Sequence, residues 1–204
     1  IEIPKKNRDT IYLGSILESA VFKKNPNPLY LVLGVSKEGQ AVCDDLSSMP
    51  HMLIAGSTGS GKSVSLNSII CSIISKASAQ EVRMIMVDPK RLELSLYEKI
   101  PHLLMPVITE SKHAQSALHW ANEEMERRYL LMQELNVRNI SSYNQEISKD
   151  PQKAANKLPA IVIIIDELAD LMLSAAKEIE TLIQKLAQKS RACGIHMILA
   201  TQRP

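Results

Sequence analysis

Apolar positions along this chain fall into two rhythms that alternate. Met52 to Ala55 and Ala160 to Ile165 are short unbroken hydrophobic runs, and Glu81 to Val87 tends the same way before ending at Asp88-Pro89-Lys90. Runs of that length suit strands buried on both faces. Between them apolar residues recur at helical spacing. Val64, Leu66, Ile69, Ile70, Ile73 and Ile74 stripe one helix; Ala114, Ala117, Leu118, Ala121, Met125, Tyr129 and Met132 stripe another, with Ser111 as its expected cap. Ile179, Leu182, Ile183 and Leu186 mark a helix that runs to Arg191 and is stopped by Gly194, after which Ile195 to Ala200 forms a last strand. Val107 to Thr109, behind Pro106, predicts a shorter strand. Strands alternating with helices predict an α/β fold, a mainly parallel sheet covered by helices on both faces.

The first fifty or so residues follow a different pattern and predict a small α+β unit, residues 1–48, ahead of a core at 49–204. Ile1 to Pro4 reads as an extended piece, Ile11 to Ser19 as a short helix and Lys23 to Pro28 as a polar loop. Leu29 to Val35, the turn Lys37-Glu38-Gly39 and Gln40 to Cys43 read as a β-hairpin. Asn144 to Leu158, polar and closed by proline, is expected to be a loop. Glu123, Glu124, Glu126, Arg127 and Arg128 read as the solvated face of their helix. No internal repeat is present.

The junction between the run at Met52 and the helix at Val64 carries Gly56, Ser57, Thr58, Gly59, Ser60, Gly61, Lys62 and Ser63. This fits G-x-x-x-x-G-K-[ST] in the strand-loop-helix context that the motif requires. Glycines let successive backbone N–H groups curl round a phosphate, and the helix start adds its positive dipole end. Lys62 would reach the terminal phosphates and the Ser63 hydroxyl would ligate Mg²⁺. Cofactor contacts are therefore expected from Gly56 to Val64, with ATP and Mg²⁺ as the cofactors.

Polar chemistry also gathers where the other strands end, as open parallel sheets require. Asp166, after four isoleucines and a valine, is placed to hold the water shell of Mg²⁺ beside Ser63. Glu167 offers a carboxylate to orient and deprotonate an attacking water. A phosphate-loop kinase manages with the aspartate alone because its acceptor is a substrate hydroxyl, so the second acid favours hydrolysis. The pair is expected on a strand neighbouring the one before Gly56. Gln202 can sense a γ-phosphate or serve ordinary turn chemistry, and Arg191 after Lys185 and Lys189 can simply complement a helix C-terminus.

Composition narrows the partners only a little. With 24 basic against 22 acidic residues the balance is +2, so a polyanion contact has to be local. Lys5, Lys6, Arg8, Lys23 and Lys24 read as a solvated face. Aromatic content of 3% disfavours base-stacking platforms and leans towards a backbone-reading partner. Cys43, Cys71 and Cys193 are odd in number and widely spaced, which reads as buried thiols in a reducing cytosol. The longest apolar run is too short to cross a bilayer.

Five segments in order resemble the motor domain of the FtsK/SpoIIIE DNA translocases: MPHMLIAGSTGSGKSVSLN, DPKRLELSLYEKIPHLL, EEMERRYLLM, IVIIIDELADLM and QKSRACGIHMILATQRP. The resemblance implies a RecA-like P-loop ATPase that assembles as a homo-hexamer and pumps double-stranded DNA, serving chromosome segregation at division or sporulation. It implies nucleotide and Mg²⁺ at Lys62 and Ser63, a Walker B pair at Asp166 and Glu167, and a γ-phosphate sensor at Gln202. It also implies that Arg191 acts on a neighbouring subunit's ATP, reversing the plainer reading of that residue. Family members continue beyond Pro204 and carry a membrane-spanning region, so a C-terminally incomplete motor is expected, itself soluble, from a protein at the cytoplasmic face of the bacterial inner membrane with division or recombination partners. A type VII secretion ATPase and a nucleotide-binding module without hydrolysis are the alternatives.

Overall fold

A computed structural model describes residues 10–203; the expected extended piece at 1–4 and the basic residues Lys5, Lys6 and Arg8 lie outside them. The chain opens with α1 (Leu13–Leu17) and α2 (Ala20–Lys24), then β1 (Tyr30–Val35) and β2 (Ala41–Asp45). The core follows as β3 (Met52–Ala55), α3 (Lys62–Lys76), β4 (Val82–Val87), α4 (Ser111–Glu134), α5 (Ile140–Ser148), β5 (Ala160–Ile165), α6 (Leu168–Lys189) and β6 (Ile195–Thr201). Four strands form a parallel sheet in the order β3-β6-β5-β4.

Period-two alternation explains how a strand with no polar residue chooses its faces. Val162 and Ile164 of β5 join Leu66, Ile69, Ile70 and Ile73 of α3 on one side. Ile161, Ile163 and Ile165 join the small and apolar faces of α4 and α6 on the other. Each fully buried side chain of this size contributes about 1.5–3 kcal/mol, and all five are at most 2% exposed, so β5 is the axis of the core. The hairpin β1–β2 is antiparallel and leans on α3. There Ser68 Oγ donates to the Val32 carbonyl at 2.8 Å, and the Val32 amide donates to Ser72 Oγ at 2.9 Å.

Several expectations need correction. Residues 11–19 are not one helix: Ser19 caps α2 by accepting from the Phe22 amide, and Lys23 and Lys24 close that helix instead of opening a loop. The first third of the expected loop at Asn144 to Leu158, as far as Ser148, belongs to α5, which is capped by Asn139 and buries Tyr143 and Ile147. Its polar composition hides the apolar face, and Asn144 ties its end to the Leu158 backbone through two bonds of 2.8 Å. Ser111 is the first helical residue of α4, with Glu110 at the cap position. Val107 to Thr109 contributes only a bridge from Ile108 to Val87. Of the three cysteines only Cys193 is buried. Helix α6 ends at Lys189, leaving Arg191 in the turn beyond it. The strand order is itself a correction, because β6 lies between β3 and β5 and separates the glycine loop's strand from the tandem acids.

One buried imidazole gives the core a pH dependence. His196 on β6 is 2% exposed and its Nδ1 lies 3.0 Å from the Pro50 carbonyl oxygen, so that nitrogen carries the proton. Burial pushes its pKa down to about 4. The unfolded chain, with histidine near about 6.5, then binds the proton more readily than the folded one between those values. Stability is full above the unfolded value and is lost as pH falls towards the folded one, by about 2 kcal/mol between pH 7 and 4.5. Thermal melts across that range should show a smaller fall in Tm for His196→Gln than for the parent; equal falls would remove His196 as the cause.

Candidate functional site

The sheet order brings the ends of β3, β6 and β5 together at one edge, and the glycine loop closes over them. Gly61 holds φ 98° as it enters α3, a left-handed value that favours glycine. At Gly56 a Cβ would lie 2.2 Å from Ser60 Oγ and 3.1 Å from Ser60 Cβ, so a side chain there would make the Ser60 hydroxyl turn away from the folded loop. The Gly56 amide donates to the Thr201 carbonyl at 3.1 Å, fastening the loop to the end of β6. A cavity of about 250 Å³ opens here, lined by Ser57, Thr58, Gly59, Lys62, Ser63 and Val64 among others, together with Glu93 and Gln202.

Lys62 reaches past β6 to the end of β5. Its ammonium donates to the Asp166 carboxylate at 2.8 Å and to the Asp166 carbonyl at 2.6 Å, while the residue is 8% exposed. Ser63 Oγ donates to Glu93 Oε1 at 2.7 Å. Asp88, wholly buried at the end of β4, fixes that region by accepting from the amides of Glu93 and Leu94, each at 2.9 Å. Burial raises the Asp166 pKa, Lys62 opposes the rise, and the charges of Asp88 and Glu93 add to it. Negative charge is therefore concentrated where a cation would relieve it.

Glu167 is held differently. Although 2% exposed, its carboxylate accepts from Thr201 Oγ1 at 2.8 Å and from the Gln202 amide at 3.1 Å, with the Lys90 ammonium 3.6 Å away. Burial alone would raise its pKa; the bonds from Thr201 and Gln202 and the charges of Lys62 and Lys90 outweigh that and hold it below the usual carboxylate range. An ionised Glu167 thus sits one residue from the aspartate that Lys62 grips. The Gln202 side chain faces the loop instead, its Oε1 accepting from Thr58 Oγ1 at 3.4 Å.

The loop from Gly56 to Val64, Asp166, Glu167 and Gln202 therefore meet at one edge, and Arg191 does not join them. It precedes β6, whose 7 residues at about 3.3 Å each put it roughly 20 Å from the phosphate-loop end. Its side chain is exposed and makes no hydrogen bond or ion pair among the described residues. Lys90, Glu93 and Thr201 are site residues that the sequence reading passed over. The signal for all three was their place at or just after the carboxyl end of a core strand.

A glycine loop between strand and helix, a lysine gripping a strand-end aspartate and an adjacent ionised glutamate define a phosphate-loop α/β domain of the P-loop NTPase class. Among the described residues no three His, Cys, Asp or Glu side chains are grouped to hold a metal by themselves. The chain belongs to the FtsK/SpoIIIE family, whose model matches residues 12–204. It is 52% identical over 204 residues to DNA translocase FtsK of Clostridium tetani, covering all of this chain and 27% of that protein. It is 49% identical over 220 residues to DNA translocase FtsK 2 of Neisseria meningitidis, covering all of this chain and 22% of that one. The chain thus spans about a quarter of the length of these curated relatives. The pCW3 conjugation coupling protein TcpA, solved as a monomer form with ATPγS, superposes with a TM-score of 0.72 at 33% identity, over 87% of this chain and 49% of that one. The cytoplasmic domain of the Thermomonospora curvata type VII secretion ATPase EccC gives 0.78 at 23% identity, over 97% of this chain and 25% of that one, and shares the fold.

Proposed function

We propose that this domain binds ATP with Mg²⁺ and hydrolyses it to drive double-stranded DNA through a ring of identical subunits, within a longer protein. The observation that carries hydrolysis is Glu167: buried, ionised and fixed beside the residue that Lys62 holds. Loop amides would cradle the phosphates, and Lys62 would leave Asp166 for the terminal ones. Ser63 and Asp166 would hold Mg²⁺, which when bound neutralises charge on the phosphate oxygens. Glu167 keeps lone pairs beyond those given to Thr201 and Gln202, enough to orient a water and take its proton. Gln202, bonded through its side chain to the loop and through its amide to Glu167, would register the γ-phosphate at both.

The relatives near 50% identity are DNA translocases by name, and they favour this reading over secretion, to which the chain is linked by fold alone. Among the described residues no helix is long and apolar enough to cross a membrane, so attachment to the bacterial inner membrane would come from other parts of the protein. Division and recombination proteins are the partners we propose there. ATP turnover of the full-length protein should rise severalfold on adding duplex DNA, and Lys62→Ala should abolish both rates. Turnover indifferent to duplex would reject the translocase while leaving an ATPase.

A further inference from the structure

The charged face of α4 contains a residue that is not charged surface at all. Arg128 is 1% exposed, although its neighbours Glu126 and Arg127 face solvent. Its Nε donates to Glu124 Oε1 at 2.8 Å, and one terminal nitrogen donates to the Cys193 carbonyl at 2.8 Å. Removing a guanidinium and a carboxylate from water costs several kcal/mol per ion, and such a pair seldom improves on apolar residues of the same size. Net stability therefore does not explain Arg128. Its target does, because Cys193 lies in the turn that carries Arg191.

That turn is held from several directions. Tyr129 donates to the Lys189 carbonyl from the same helix as Arg128, and the Ile140 amide of α5 donates to the Ala192 carbonyl at 2.8 Å. The Ile161 amide at the start of β5 donates to the Gly194 carbonyl at 2.8 Å. Gly194 has φ +71°, and a Cβ there would lie 2.9 Å from Ile140 Cδ1. Every bond anchors the backbone on either side of Arg191, whose own side chain is left projecting.

We propose that Arg128 is a positioning residue for ATP hydrolysis, acting through the Cys193 carbonyl to fix the direction in which Arg191 leaves its turn. The inference rests on the reading that Arg191 serves the nucleotide of a second copy. A finger that stabilises charge developing on the phosphoryl group has to be aimed before that charge appears, and misplacement by about 1 Å can cost about 10²-fold in rate. Arg128 supplies the aim from a buried site that touches no nucleotide.

The test uses the full-length protein with Arg128→Lys, which keeps the charge but not the two-pronged reach, and the double variant Glu124→Leu with Arg128→Met, which removes the buried pair and leaves without its partner only Arg127, whose guanidinium also bonds to Glu124 but is exposed to water. Each should keep the Tm within a few degrees and ATPγS affinity within about twofold, yet lower kcat by about 10- to 100-fold. Trapping of ADP with aluminium fluoride, a mimic of the transferring phosphoryl group, should weaken alongside kcat. In an Arg191→Ala background neither change should weaken trapping further. If Arg191→Ala traps normally, the reading of Arg191 itself fails. Trapping lost in Arg191→Ala but normal in both Arg128 variants, or lost further when the changes are combined, would overturn the role of Arg128 alone.

Discussion

Glu167→Gln will lower ATP turnover by about 10²–10⁴-fold, the range that general acid–base catalysis supplies, while nucleotide affinity stays within about twofold. The geometry separates the two effects. Glu167 bonds to Thr201 Oγ1 and the Gln202 amide, whereas the loop, Lys62 and Ser63 line the cavity where phosphates would lie. A glutamine amide oxygen can still accept from Thr201, so the end of β6 keeps its place. What would disappear is the negative charge that we propose takes a proton from water. Steady-state phosphate release, paired with equilibrium binding of a fluorescent ATP analogue, measures both quantities. Turnover within about tenfold of the parent would mean that another group activates the water, with Asp166 the nearest carboxylate in sequence.

Strands β4, β5 and β6 were legible because their burial is nearly complete, whereas β3, at the edge of the sheet, is not the doubly covered strand its apolar run implies and leaves Leu53 62% exposed. A strand covered on both faces has no polar position, and β5 announces itself by that alone. Strand order was not legible, since chain order carries no information about which strand slips between two others. β6, last in sequence, lies between β3 and β5 and supplies Thr201 and the Gln202 amide to Glu167. Helix α5 escaped notice because Ile140, Tyr143 and Ile147 are spread among serine, glutamine and asparagine, too thin an apolar face to stand out beside a proline-closed polar stretch. Arg128 was misplaced by its company, for five charged residues within six positions look like a solvated face. The spacing held the correction, because Arg128 stands three residues after Met125 and four before Met132, on the buried stripe. Counting charges along a helix hides what counting by angle reveals.

Arg191→Ala will leave nucleotide affinity intact and cut hydrolysis by about 10³–10⁵-fold, the contribution of an arginine finger in the best-characterised cases. The distance along β6 makes this a statement about pairs of subunits. Arg191 starts at the amino end of that strand and the phosphate loop meets its carboxyl end, so one copy's guanidinium cannot reach its own ATP. The head-to-tail ring that we propose would close the gap by setting the amino edge of one copy against the nucleotide edge of the next. Lys62→Ala removes the site while keeping the finger, and Arg191→Ala does the reverse, so either protein alone should be inactive. Mixed at equal concentration, about a quarter of the interfaces would join an intact site to an intact finger under random assembly, and phosphate release should recover in proportion. Absence of recovery in rings shown to contain both variants would place the function of Arg191 within its own subunit, and the two-sided geometry of the motor would have to be abandoned.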